Sequence, residues 1–226
     1  MVVPMPTFND WMARTPPGRE VVLHHKGDIL FHQNDPSDFL YVVMEGRLLF
    51  VKESPFGNPL VLERLLPGEF VAGFAVIFDF PYPAGAISDC PSRVLGYSKK
   101  TLQASLEQDR ELRREVNREL GERFQMYQSR LLYANTPIEI RLSQVLVALS
   151  GRGGGGPPQR QGVGRDSLVI TRSILAQMCL TTVETTIRIT RMWEKAGKLD
   201  LSKKGIIRIV DFAFFDQLVL GGSKDP

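Results

Sequence analysis

Cysteine is nearly missing from this chain. Among 226 residues there are two, Cys90 and Cys179, and they lie far apart. Two distant thiols cannot form the disulfide framework of a small secreted domain, and they suit a reducing cytoplasm. They also fall short of the roughly four thiolates that an iron–sulfur cluster needs. Histidine is equally scarce, with only His24, His25 and His32. A cupin-type metal enzyme wants about three histidines and a carboxylate converging from different strands. His24 and His25 are neighbours, so on a strand they point to opposite faces, and no histidine follows His32. Haem ligation by a lone histidine and redox sensing by Cys90 or Cys179 are minor alternatives. No run approaches the roughly 18 to 20 apolar residues that cross a bilayer. The stretch Met1 to Trp11 has prolines and no basic-then-apolar order, so no secretion signal is expected there. No Ser–His–Asp set stands out, and the glycine-rich run from Gly151 lacks the Lys-Ser or Lys-Thr of a P-loop. The expectation is a protein without enzymatic activity, cofactor, metal or membrane partner.

What is present is ordinary globular composition, 43% hydrophobic and 23% charged. That suffices to bury cores in one large or two modest domains. Charge is unevenly spread. From Arg165 to Arg208 there are nine basic and four acidic residues, an excess above the whole-chain net charge of +3. The remainder is therefore slightly acidic, and the basic stretch is where a polyanion would bind.

That stretch reads as two short helices joined by a turn. Thr171 can cap the first, which carries Ile174, Leu175, Ala176 and Met178. Cys179 to Thr182 form the turn, Thr182 can cap the second helix from about Val183 to Ala196, and Gly197 ends it. Thr186, Ile189 and Trp193 line an inner face. Glu184, Arg188, Arg191 and Lys195 follow at steps of four, three and four as one outer stripe. Arg can donate twice to guanine O6 and N7, and Glu can accept from cytosine N4, so the stripe suits a major groove. On spacing alone, a surface ion pair between Glu184 and Arg188 is an equal reading. Leu199 to Val210 reads as a hairpin with Lys203-Lys204-Gly205 at its tip, a wing that can rest on phosphates.

Together, Ile170-Thr-Arg-x-x-Leu-Ala-Gln177 and Val183-Glu-Thr-x-x-Arg188 resemble the winged helix of the CRP/FNR family of bacterial transcription regulators. The resemblance implies that Glu184 and Arg188 read base edges. Thr171, Arg172, Thr182, Val183, Thr185, Ile187, Arg191, Lys203 and Lys204 then contact phosphates, tune the register or, for Ile187, offer an apolar surface to a thymine methyl. The chain departs from the family at the turn, where Leu180 stands in place of a usual glycine, so strain or a one-residue shift is expected there.

Residues 21 to 98 read as short strands separated by Gly and Pro turns, the pattern of a jelly-roll-like barrel. The strands are expected at Val21–Leu23, Phe39–Met44, Arg47–Lys52, Leu60–Leu66 and Ser92–Tyr97. Lys26-Gly-Asp-Ile-Leu-Phe31, Leu40-Tyr-Val-Val-Met-Glu-Gly-Arg-Leu48 and Leu66-Pro-Gly-Glu-Phe70 resemble the family's sensor domain, whose fold is that of cyclic-nucleotide-binding domains. The resemblance covers about residues 20 to 212. Members that bind cyclic AMP use a Gly-Glu pair for the ribose and an Arg-Ser or Arg-Thr pair for the phosphate. Here the Glu position falls near Gly73 and the Arg position near Pro83 or Ala84, with no basic residue between Arg64 and Arg93. Burying a cyclic phosphate without a cation is costly, so classical cyclic-AMP binding is not expected. Phe70, Phe74, Phe78 and Tyr82 either line a pocket for an apolar effector or fill a core that needs none.

A short helix from Lys99 to Leu106 precedes a long one from about Arg110 to Tyr133. In the long helix Leu112, Val116, Leu120, Phe124, Tyr127 and Leu131 recur at coiled-coil spacing. This seam either joins two copies of the chain or packs on its own barrel, and the dimer is the favoured reading. Thr136 should cap the next helix, opened by Pro137 and running Ile138 to Leu149. Gly151 to Gly164, with Arg152 and Arg160, reads as an inserted surface loop, and the segment from Asp211 as a closing helix. The expected class is α+β: a jelly-roll sensor domain over 1–109, a dimerisation helix over 110–135 and a winged helix-turn-helix over 136–226. The resemblance implies a cytoplasmic homodimer on a palindromic duplex operator, an activator that meets RNA polymerase. The residues themselves do not separate activation from repression.

Overall fold

The computed structural model describes residues 6–54, 59–150 and 166–221. The expected glycine-rich loop at 151–164, most of the loop at 55–59 and the last five residues lie outside them. The chain forms two compact units, residues 3–121 and 122–226.

The first unit opens with α1 (Pro6–Arg14), followed by β1 (Arg19–Leu23), β2 (Ile29–Phe31), β3 (Phe39–Glu45), β4 (Leu48–Lys52), β5 (Leu60–Leu65) and β6 (Phe70–Val71). Then come α2 (Gly73–Phe78), β7 (Gly85–Ser88), β8 (Ser92–Ser98), α3 (Lys99–Gln108) and the start of α4 (Arg110–Leu132). The strands make two antiparallel sheets, ordered β1-β8-β3-β6 and β2-β7-β4-β5. That interleaving is a jelly roll, which leaves few long edges open to other chains. The interior is aromatic. Phe31 stacks on Tyr82 with centroids 3.7 Å apart, and Phe8, Trp11, Phe70 and Tyr97 are buried alongside.

Of the elements not anticipated, which include β6, three shape this unit most. Helix α1 buries Phe8 and Trp11, and the Phe8 amide donates to Glu115 at 2.6 Å. In strand β7 only Ile87 favours a strand, the other three residues being small, yet its neighbours β2 and β4 pair along both its edges. Helix α2 buries Gly73, Ala75 and Val76 and turns Phe74 and Phe78, four residues apart, outward.

Helix α4 corrects the expected seam. Leu112 and Val116 are 0% and 2% exposed and belong to the core of their own unit, and Leu120 is partly buried against it. These residues are core because the barrel reaches them first. Further along, Phe124 and Leu131 stand 62% and 74% exposed, and Tyr127 is half-buried.

The second unit holds the rest of α4, then α5 (Ile138–Leu149), β9 (Ser167–Val169), α6 (Arg172–Met178), α7 (Val183–Lys195), β10 (Leu199–Asp200), β11 (Ile206–Ile209) and α8 (Phe212–Gly221). Pro137, not Thr136, occupies the cap position of α5, and the Thr136 hydroxyl donates instead to Tyr133 O at 2.8 Å. Pro137 itself has ψ 148°, outside helical geometry, so it takes the cap position without a side-chain acceptor. Trp193 meets Phe215 edge-on at 5.1 Å and locks α7 to α8. No helix among the described residues is long and apolar enough to cross a membrane.

Candidate nucleic-acid interface

Two threonines fix where the paired helices begin. The Thr171 hydroxyl accepts from Ile174 N at 3.3 Å and starts α6; the Thr182 hydroxyl accepts from Thr185 N at 3.1 Å and starts α7. Each satisfies an amide that the first turn leaves without a partner.

The turn between them has a defined form. Thr181 N donates to Ala176 O at 3.0 Å, and Leu180 between helix and turn has φ +52°. That is the Schellman stop, whose left-handed position favours glycine. The strain expected at Leu180 is therefore present, and the register is not shifted. The side chain is 61% exposed, so burial does little to offset the strain.

On α7 the two faces separate cleanly. Thr186, Ile189, Thr190 and Trp193 are buried, at most 2% exposed. The two buried hydroxyls are satisfied within the helix, Thr186 donating to Thr182 O at 3.0 Å and Thr190 to Thr186 O at 2.7 Å. Glu184, Arg188, Arg191 and Lys195 are all exposed, and Val183, Thr185 and Ile187 are half-buried between the faces. Glu184 and Arg188 form no ion pair within 4.0 Å, with each other or with any other described residue. The reading of the stripe as a surface ion pair thus finds no contact to rest on. Both side chains keep their hydrogen-bonding capacity.

The wing is a three-stranded sheet, β10-β11-β9, in which Leu199 pairs with Ile209 and Asp200 with Arg208. Lys203 and Lys204 are exposed at its tip, beside Gly205 at φ +78°. Arg172, at the first turn of α6, is only half-exposed, and its buried Nε has no hydrogen-bond partner. The Thr171 and Thr182 hydroxyls accept from backbone amides as caps, and Thr182 Oγ1 also donates to Thr185 Oγ1 at 3.0 Å.

One residue that sequence reasoning passed over is Arg141 of α5. Its Nη1 donates to Cys179 O at 2.9 Å and to Leu180 O at 3.4 Å, the two carbonyls at the turn. No local pattern announces this, because the partners lie 38 and 39 residues away. Cys179 is buried among these groups, and burial pushes its thiol up to about 12. It stays protonated at neutral pH, which removes the basis for easy oxidation.

The expected effector quartet does not assemble. Phe70 and Tyr82 are core, and the Tyr82 hydroxyl donates to Phe39 O at 2.6 Å. Phe74 and Phe78 lie on the surface with Phe80, about half exposed. The Phe70 ring sits 2.4 Å from where a side chain at Gly73 would begin. A carboxylate there would collide with the ring. The nearest upstream cation, Arg64, is buried and lies 3.9 Å from Asp89, which also takes Lys26 at 3.0 Å. His24, His25 and His32 are exposed and do not line the barrel.

Comparison with known proteins matches each unit separately. Residues 21–109 fit a cyclic nucleotide-binding domain, and residues 140–218 fit a Crp-like helix-turn-helix domain. Among solved structures, FixK2 from Bradyrhizobium japonicum superposes with a TM-score of 0.75 at 16% identity, covering 88% of this chain and 96% of that one. The c-di-GMP responsive global regulator CLP of Xanthomonas campestris gives 0.69 at 18%, covering 91% and 98%. A CRP/FNR-family transcriptional regulator from Thermus thermophilus gives 0.65 at 22%, covering 89% and 98%. At such identities these likenesses establish the fold. Over 87 residues the chain is also 29% identical to an uncharacterized ABC transporter ATP-binding protein of Mycobacterium bovis, a match spanning 38% of this chain and 26% of that one.

Proposed function

Because this chain belongs to the CRP/FNR family of transcription regulators, we propose that it reads a two-fold symmetric duplex operator as a homodimer. The family's members are regulators and not enzymes. The observation that carries the reading is α7. It offers Glu184, Arg188, Arg191 and Lys195 on one exposed face, held rigid from behind by Ile189 and Trp193. Arg188 reads a guanine and Glu184 the cytosine of a nearby pair. The lysines at the wing tip hold phosphate and fix the register. The exposed end of the α4 seam, Phe124 and Leu131, joins two copies. That pairing sets the two α7 helices about 34 Å apart, one turn of DNA.

The first unit braces or senses without the usual cyclic-AMP clamp. Its interior is filled by Phe31, Tyr41, Phe70 and Tyr82, and the clamp positions hold Gly73, Pro83 and Ala84. The protein acts in the cytoplasm as an activator in contact with RNA polymerase. Selection from a random duplex library tests the reading. A palindromic consensus should emerge, bound far more tightly than scrambled duplex, with affinity falling steeply as salt rises. Recovery of no consensus sinks it.

A further inference from the structure

We infer that Arg141 of α5 is a positioning residue for duplex reading, because it holds the left-handed turn that aims α7. The inference rests on the DNA-binding role proposed above. Leucine at φ +52° is a poor occupant of the Schellman position, and most of its side chain lies in solvent. Something other than Leu180 must keep the turn closed. Two groups from α5 do so. The Arg141 guanidinium donates to the carbonyls of Cys179 and Leu180, at 2.9 Å and 3.4 Å. The Cys179 thiol donates back to Arg141 O at 3.7 Å. The two residues therefore grip each other from both sides of the same gap. The guanidinium also places a positive charge at the C-terminal end of α6, where the helix dipole is negative.

The consequence reaches the reading face through a short path. Leu180 is followed by Thr181, whose amide closes the turn on Ala176, and by Thr182, whose hydroxyl starts α7. Glu184 and Arg188 lie within the first two turns of α7, so their placement depends on the turn's conformation. A turn that opens part of the time leaves phosphate contacts nearly intact and blurs base contacts, which need closer geometry.

The test uses the full chain with its selected palindrome and a scrambled duplex of equal length. Arg141→Gln should weaken binding to the palindrome about tenfold and to scrambled duplex less than about threefold. Arg141→Lys should recover part of the loss, since an ammonium can still donate to one carbonyl. Leu180→Gly supplies a residue that adopts the left-handed turn unaided. In that background Arg141→Gln should cost less than about threefold on the palindrome, a double-mutant cycle that a generally structural arginine would not satisfy. Amide exchange at Thr181 gives a reading independent of DNA. It should quicken in Arg141→Gln and slow again when Leu180→Gly is added. Equal losses on both duplexes, equal losses in both backgrounds, or unchanged Thr181 exchange each overturn the inference. If the unaltered protein prefers no duplex while Thr181 responds as stated, the DNA reading has failed and the turn clamp stands without a reading role.

Discussion

Removing the Phe124 ring should split the dimer without unfolding the protomer. The ring is 62% exposed on a single chain, at the open end of an apolar stripe whose first members are buried at home. An aromatic side chain buries about 200 Å² when fully covered, so a partner could remove about 120 Å² more from water. Alanine would forfeit roughly 80 Å² of that, about 2 kcal/mol at about 25 cal/mol per Å². In a two-fold interface the loss counts in both copies, about 4 kcal/mol, or roughly a thousandfold in the dimer dissociation constant. Sedimentation equilibrium from nanomolar to micromolar concentration reads this directly, with circular dichroism to check that the fold is kept. Leu112→Ala is the control. Leu112 is fully buried, so its loss should cost about 2 to 5 kcal/mol of protomer stability and show first as a lower melting temperature. A Phe124→Ala dimer within threefold of the original, or an original protein that is monomeric at micromolar concentration, refutes the assignment of this seam.

Other outcomes follow from the same structure. Arg188→Ala should cost about 1 to 3 kcal/mol on the selected palindrome and little on random duplex; equal losses would reduce Arg188 to a phosphate contact. Calorimetry with cyclic AMP should show no micromolar binding, and a micromolar signal would mean that the aromatic interior opens. Thiol reagents at pH 8 should label the half-exposed Cys90 well before the buried Cys179. The folded chain keeps the Cys179 proton above its ordinary value of 9.0, so that contribution to stability is whole below about 9 and is lost as pH climbs toward about 12. Stability that is flat across that range in wild type, or lost equally in Cys179→Ala, contradicts the burial account.

The DNA head was the most legible part, because its signals are local. Thr171 and Thr182 each cap within three residues of themselves, and the lysines of the wing adjoin their own turning glycine. The jelly roll was legible in outline. Its strand β7 was not, since Gly85 to Ser88 are defined by neighbours and not by their own preferences. Helix α1 was invisible because Phe8 and Trp11 find partners in Phe70, Tyr97 and Glu115, far along the chain. The α4 spacing fits one helix, but a single period serves a buried core and an exposed face equally well, so it could not say where one ends. The four aromatics near residue 75 are close in sequence, which does not make them neighbours in space. A single helical turn then sent Phe74 and Phe78 outward while Phe70 and Tyr82 stayed in.

Helix α7 answers its own polar demands on the side that faces inward. The hydroxyls of Thr186 and Thr190 are met by the helix's own carbonyls, so nothing on the outer stripe is needed to hold the helix in place. The outer residues can thus be exchanged as a set while the chassis beneath stays as it is. On the proposed reading, a new operator could be acquired through changes at Glu184 and Arg188 alone, with no repacking to follow.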